Sequence, residues 1–312
     1  MRPAFSVVVF TTLAGAGQGL FLAVYAADLL SRRSVAGESA VLFIAAGAAL
    51  AAGLAVLGLA ASFFHLGHPE RAWRAAAMWR TSWLSREVIV LPLFTGLCAA
   101  YALATQQGWA GGAWLGAAAL LVCTALFVCT AMIYMCLRFL QEWASPLTMV
   151  NFVLLGAASG CTLAVALSAW LAPQWLATYS IAAILLTLAA LAARSASLAR
   201  NARLRPKSSL QSAIGVKSGR IRQMAMGFTA GSFNTREFFH GASPQKLLAV
   251  KWGFLLLVFV LPVLLVAAGA LFRSTALLVL AFPVQYAGLL AERWYFFAQA
   301  NHPQNIYYQA IS

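Results

Sequence analysis

Apolar residues fill the chain in eight long blocks, parted by short polar or glycine-rich interruptions. The blocks run over about 5–30, 40–64, 86–105, 114–138, 147–171, 175–194, 248–272 and 275–297. A helix needs about 20 apolar residues to cross the hydrocarbon of a bilayer, so each block predicts one transmembrane helix. The weakest division is between the fifth and sixth blocks, where Ala172, Pro173 and Gln174 are the only break. Glycines recur inside the blocks, as at Gly15, Gly17 and Gly19 or Gly47, Gly53 and Gly58; small residues let helices approach closely in lipid. The pattern predicts an all-α fold, a polytopic bundle of eight transmembrane helices. It forms a single membrane domain over 1–312, with one long loop at 195–247. Arg2 followed by Phe5–Leu13 has the look of a signal sequence. The apolar run continues to Leu30, however, so it is read as a first span that is retained.

Composition agrees with the pattern. Of 312 residues, 62% are hydrophobic and only 9% charged, against about 25% charged in a soluble domain. The net charge of +14 would suggest nucleic acid in a soluble protein. Here the cations sit between apolar blocks, the pattern of membrane topology and anionic lipid headgroups, and nucleic acid is excluded as a partner. Eight spans place the N-terminus, the loops after spans two, four and six, and the C-terminus on one side. That side takes 18 of the 21 Lys and Arg; Arg32, Arg33 and Arg273 fall on the other. Basic residues mark the cytoplasmic side, so both termini are expected there. The loop at 195–247 carries a run of arginines from Arg194 to Arg205. A surface that docks another protein is the simple reading; a basic loop lying on lipid headgroups is the alternative.

Chemistry has few places to sit. Cys98, Cys123, Cys129, Cys136 and Cys161 all lie in apolar stretches without a C-x-x-C pair. This argues against a disulfide framework, a zinc site or an iron–sulfur cluster held by this chain. A membrane haem needs histidines within facing spans. His65, His68, His240 and His302 all lie outside the span centres, so no haem and no metal are expected. Ionisable groups near membrane depth are functional candidates by default. They concentrate at His65-Leu-Gly-His68-Pro-Glu70-Arg71-Ala-Trp73-Arg74 and Trp79-Arg80-Thr81-Ser82-Trp83-Leu-Ser85-Arg86-Glu87. A structural account covers part of this: the tryptophans as an interfacial belt, Ser82 or Ser85 as the cap of the third helix, and Glu87 in its first turn. It leaves His65 and His68 beside four arginines unexplained, which points to a ligand site. Glu292 ends the eighth span on the same side and is placed in the same pocket. Elsewhere, Asp28 is expected to pair with Arg32 or Arg33, and Gln18 and Gln285 to bond between helices.

The stretches H-L-G-H-P-x-R-A-W-R (65–74) and R-T-S-W-L-S-R-E (80–87) resemble the membrane-anchor subunit of the dimethyl sulfoxide reductase family, the DmsC type. The ending E-R-W-Y-F-F-A-Q-A-x-H-P-Q-N (292–305) and the opening F-T-T-L-A-G-A-G-Q-G-L (10–20) are similar to a branch of that family that oxidises sulfite at the cytoplasmic face. The resemblance implies a haem-free anchor of eight helices in the bacterial inner membrane. It implies a bound quinone, ubiquinone or menaquinone. It also implies two partners, an iron–sulfur subunit docked on the anchor and a molybdopterin catalytic subunit. Respiratory members of the family carry their catalytic subunits outside. The basic face here is predicted inside, which favours sulfite oxidation to sulfate with quinone as acceptor over an anchor that oxidises quinol for a reductase.

Reducing a quinone takes two electrons and two protons, and histidine titrates near neutrality. The expected roles follow. His65 bonds a quinone carbonyl and relays a proton, Arg71 polarises the ring oxygen, and Glu87 orients the cation or conducts protons. Trp79 and Trp83 wall the pocket, with His68, Thr81, Ser82, Ser85, Arg86 and Glu292 completing its lining. Two other readings stand beside this one. A purely structural anchor would use the 65–87 block only for docking. A transporter would show repeated halves with broken helices near the midplane, and no such repeat is visible.

Overall fold

The computed structural model of the protein describes residues 1–31, 37–64, 66–225 and 233–308. Among them, eight helices are long and apolar enough to span a membrane, the number read from the sequence. They are α1 (Phe5–Ser31), α2 (Glu38–Phe63), α3 (Trp83–Gln106), α4 (Gly112–Met135), α5 (Pro146–Leu171), α6 (Leu176–Ala202), α7 (Pro244–Leu271) and α8 (Thr275–Ala298). The protein is a multi-pass membrane protein. Serine and proline set several helix starts. Ser82, Ser145 and Ser243 accept backbone N–H bonds at the heads of α3, α5 and α7, with Pro146 and Pro244 in the first turn.

Helix α1 is the most enclosed span and packs on both α2 and α5. The α1–α5 crossing is made of glycine. A Cβ on Gly19 or Gly160 would overlap the facing backbone, and Gly156 and Gly160 form a G-x-x-x-G step on α5. In lipid there is no hydrophobic drive between helices, so such close backbone contact supplies much of the association energy. Helices α2, α3 and α4 continue around one side, and α6, α7 and α8 around the other.

Two buried glutamines bond between helices, as expected for them. Gln18 Nε2 donates to Cys123 O of α4 at 3.1 Å. Gln285 answers a defect in α7. The helix widens to a π turn at Leu256–Val260, and Pro262 has no N–H to give the carbonyl of Val258, four residues back. Gln285 Nε2 donates to that carbonyl at 3.1 Å, and to Thr187 Oγ1 at 3.3 Å. Asp28 accepts from Tyr101 Oη at 2.6 Å; its expected partners Arg32 and Arg33 lie outside the described residues. Exposed tryptophans ring both ends: Trp109, Trp114 and Trp170 at one, Trp73, Trp79 and Trp252 at the other, an interfacial belt.

The end that carries most of the cations is capped by chain rather than left open. Arg2 N donates to Glu237 O at 2.9 Å. Arg200 donates to the Gln141 carbonyl at 3.0 Å, Asn305 to Phe238 O at 3.0 Å, and Asn301 to the Glu142 carboxylate at 3.1 Å. Helix α6 runs to Ala202 and does not stop near 194. Arg194, which reads as a boundary charge, is inside the protein.

Two substitutions test this packing. Gly160→Leu is expected to abolish the monodisperse peak in detergent gel filtration, whereas Gly53→Leu, which faces open space, leaves it intact. Gln285→Leu is expected to lower stability by about 1 kcal/mol in a thermal melt, the net worth of a buried hydrogen bond.

Candidate functional site

The segment between α2 and α3 folds as a 3₁₀ helix over Pro69–Met78 with no buried residue. His65 lies outside the described residues. His68 and Arg71 are exposed, with His68 Nδ1 3.0 Å and Arg71 Nε 3.7 Å from Glu70 Oε1; exposed pairs of this kind add little stability. Trp79 and Thr81 are exposed as well. Arg86 pins the segment to α3. Its guanidinium donates to Trp79 O and Arg80 O, both at 2.8 Å, and covers the Trp83 ring at 4.2 Å. Ser82 is the cap of α3, accepting from Ser85 N at 3.3 Å, and Ser85 is buried.

That cap moves Glu87. With Ser82 as the cap and Trp83 as the first helical residue, Glu87 falls past the first turn, where the helix dipole no longer explains it. Its side chain turns inward and is 3% exposed. Thr130 of α4 donates a hydrogen bond to its carboxylate.

Glu292 sits elsewhere in the same end of the bundle, inside a charged triad. Arg194 Nε of α6 lies 2.8 Å from Glu292 Oε1, and Arg293 Nε lies 3.8 Å from Oε2. All three side chains are at most 5% exposed. Aromatic rings complete the shell. The Arg293 guanidinium lies 3.8 Å over Phe152, and Arg194 lies 5.6 Å from the Phe254 centroid. Isolated charges here would cost many kcal/mol; paired and stacked, they persist.

The two carboxylates belong to one polar interior. Tyr134 of α4 stands within electrostatic reach of both Glu87 and Arg293. A cavity of about 20 Å³ is lined by Thr130 and Arg293 together with Thr12, Gln18 and Ser159, room for about one water molecule. Among the described residues, no three His, Cys, Asp or Glu gather as a metal site.

Thr130, Tyr134, Arg194 and Arg293 escape sequence reasoning. A threonine or tyrosine within an apolar run gives no pairing signal, and the two arginines count as topology charges. The adjacent Glu292 and Arg293, near the end of an apolar span, were the available hint. At the tail, His302 Nδ1 accepts from Gln304 N at 3.2 Å, and the ring stacks on Phe238 at 3.8 Å.

Glu292→Gln would leave two buried arginines without an anion, and about 3 kcal/mol or more should be lost. Arg194→Met leaves the balanced Glu292–Arg293 pair, so the loss should be smaller. Thermal unfolding in detergent measures both, and equal losses would contradict the charge count. Burial first, and the positive amino terminus second, hold the His302 pKa below its ordinary 6.5. The neutral ring is therefore the one that fits. Its contribution is present above about pH 6.5 and is lost as pH falls through the lower folded value. Hydrogen exchange over residues 300–308 should rise on acidification, and His302→Phe should remove that dependence.

The family description "DMSO reductase anchor subunit (DmsC)" matches residues 1–299. The chain is also 52% identical to a sulfite dehydrogenase subunit of Allochromatium vinosum, over 100% of both chains. A match of that extent leaves no segment of the bundle outside the comparison, and the chain belongs to the DMSO reductase anchor-subunit family.

Proposed function

We propose that this anchor subunit binds membrane quinone at its basic end and passes electrons between that quinone and a docked iron–sulfur subunit, in sulfite oxidation to sulfate. The anchor-subunit family and the relative's subunit name imply a complex, with a molybdopterin catalytic subunit and an iron–sulfur subunit as the partners. The relative named as a sulfite dehydrogenase subunit supports the substrate. The basic end is taken as cytoplasmic on its excess of Lys and Arg, with both termini there.

The observation that carries the quinone site is Glu87. A carboxyl group sealed at the edge of the apolar layer, with a hydroxyl partner and no cation in ion-pair contact among the described residues, is costly to keep. Its chemistry fits a quinone, whose carbonyl oxygens need donors and protons. Bound there, a quinone supplies two-electron redox chemistry at the membrane. This chain's residues hold and protonate it. Glu87 and His65 carry protons to the two oxygens, with Thr130 fixing the Glu87 carboxyl. Arg71 supplies positive charge near one oxygen. Trp83, held under Arg86, and Trp79 form the apolar wall, with His68, Thr81, Ser82 and Ser85 at the mouth. Glu292 acts from behind, through Arg293 and Tyr134.

Glu87→Gln keeps the shape and removes the proton, and His65→Ala removes the second carrier. Each is expected to cut sulfite-to-quinone electron transfer by about 10²-fold or more. Sulfite oxidation with a soluble dye acceptor, and assembly of the complex, should stay intact. Normal quinone reduction in both variants would refute the site.

A further inference from the structure

A second, separate cavity lies away from the 65–87 segment. Its volume is about 530 Å³, and it opens at the basic end between the α4–α5 loop, the chain following α6, and the tail after α8. Arg205 and Lys207 line one side, His302 another, with Phe139, Leu204 and Ile306 as apolar wall. Among the described residues neither Arg205 nor Lys207 has a carboxylate within ion-pair distance. The one acid in the lining, Glu142, accepts from Asn301 N at 3.3 Å and Asn301 Nδ2 at 3.1 Å, so the lining holds two cations against one anion. The cavity is thus a cationic cleft with an apolar floor, its volume within the range of a small-ligand or short-peptide site.

Height above the membrane separates its two natural occupants. The sixth span covers 30 residues, Pro173–Ala202. At about 1.5 Å per residue it is some 45 Å long, against about 30 Å of hydrocarbon and about 40–45 Å of bilayer with headgroups. With Pro173 at the far boundary, Ala202 stands about 10–15 Å outside the apolar layer, and the headgroups reach only about 5–8 Å. Arg205 and Lys207 follow Ala202. The Arg200 bonds to the Gln141 and Ala144 carbonyls bring the α4–α5 loop to the same level. A site at this height favours a water-soluble protein over a lipid phosphate.

We propose that this cleft is the receptor for an acidic segment of the iron–sulfur subunit, which inserts carboxylates against Arg205 and Lys207 and an apolar side chain against Phe139. The inference rests on the docking part of the proposed function and names the surface for it. It does not depend on the quinone site.

The test uses the whole complex in native membranes. Arg205→Glu/Lys207→Glu reverses the charge at two exposed loop positions. The salt concentration that releases half of the iron–sulfur subunit should fall by about two-fold or more. Unchanged release would overturn the proposal. A photo-crosslinking benzoylphenylalanine in place of Phe139 identifies the occupant. The expected adduct is to an acid-rich peptide of the iron–sulfur subunit, lost in the charge-reversed variant. Adducts to phospholipid, or to residues 309–312 of the same chain, would overturn it. A detergent-solubilised quinone titration of the same variants separates this result from a failure of the quinone assignment, which predicts altered quinone binding on changes in the 65–87 segment and none at Arg205 or Lys207.

Discussion

The apolar layer of a membrane offers no hydrogen-bond partner, so every polar group within it must be answered from inside the protein. This constraint organises the bundle. It places Gln285 against a carbonyl that proline cannot serve, Tyr101 on Asp28, Thr130 on Glu87, and two arginines on Glu292. None of these side chains is spare. The interior is held by a few directional contacts laid over close glycine packing. The basic end differs from the rest because there two arginines answer a carboxylate.

The architecture was legible because hydropathy depends on the chain alone. Eight blocks of about 20 residues give eight helices whatever packs against what. Gln18 and Gln285 were legible for a related reason, since an amide at membrane depth has few options. What stayed hidden was pairing between distant segments. Arg194 and Glu292 are nearly a hundred residues apart, and only the fold makes them neighbours. Read singly, Arg194 marks a helix end; paired, it lets α6 run on to Ala202. Glu87 reads as a first-turn residue in sequence because Ser82 and Ser85 are equally good caps on paper. The choice of Ser82 turned a helix-end charge into a buried acid.

The proposed site therefore has two layers. The outer one, His68 through Thr81, lies at the surface and is held by Arg86 and short local pairs. The inner one, Glu87 with Thr130, Tyr134 and the triad, is sealed. An exposed mouth over a buried acid suits a hydrophobic, proton-accepting ligand that arrives laterally from lipid. The charge arithmetic of the inner layer is also informative. Arg194 and Arg293 against Glu292 leave one positive charge over.

The cap at the basic end has a consequence for biosynthesis. Arg2 is tied to Glu237, and the residues just beyond α8 hold both the α4–α5 turn and the chain before α7. The α4–α5 turn, made early, must wait for Asn301 and Asn305 before the surface takes its shape. A nascent or prematurely ended polypeptide can insert its early helices yet present no finished face. A polypeptide ended before Asn301 would lack the contacts at Glu142 and Phe238 and offer its unfinished face to membrane proteases.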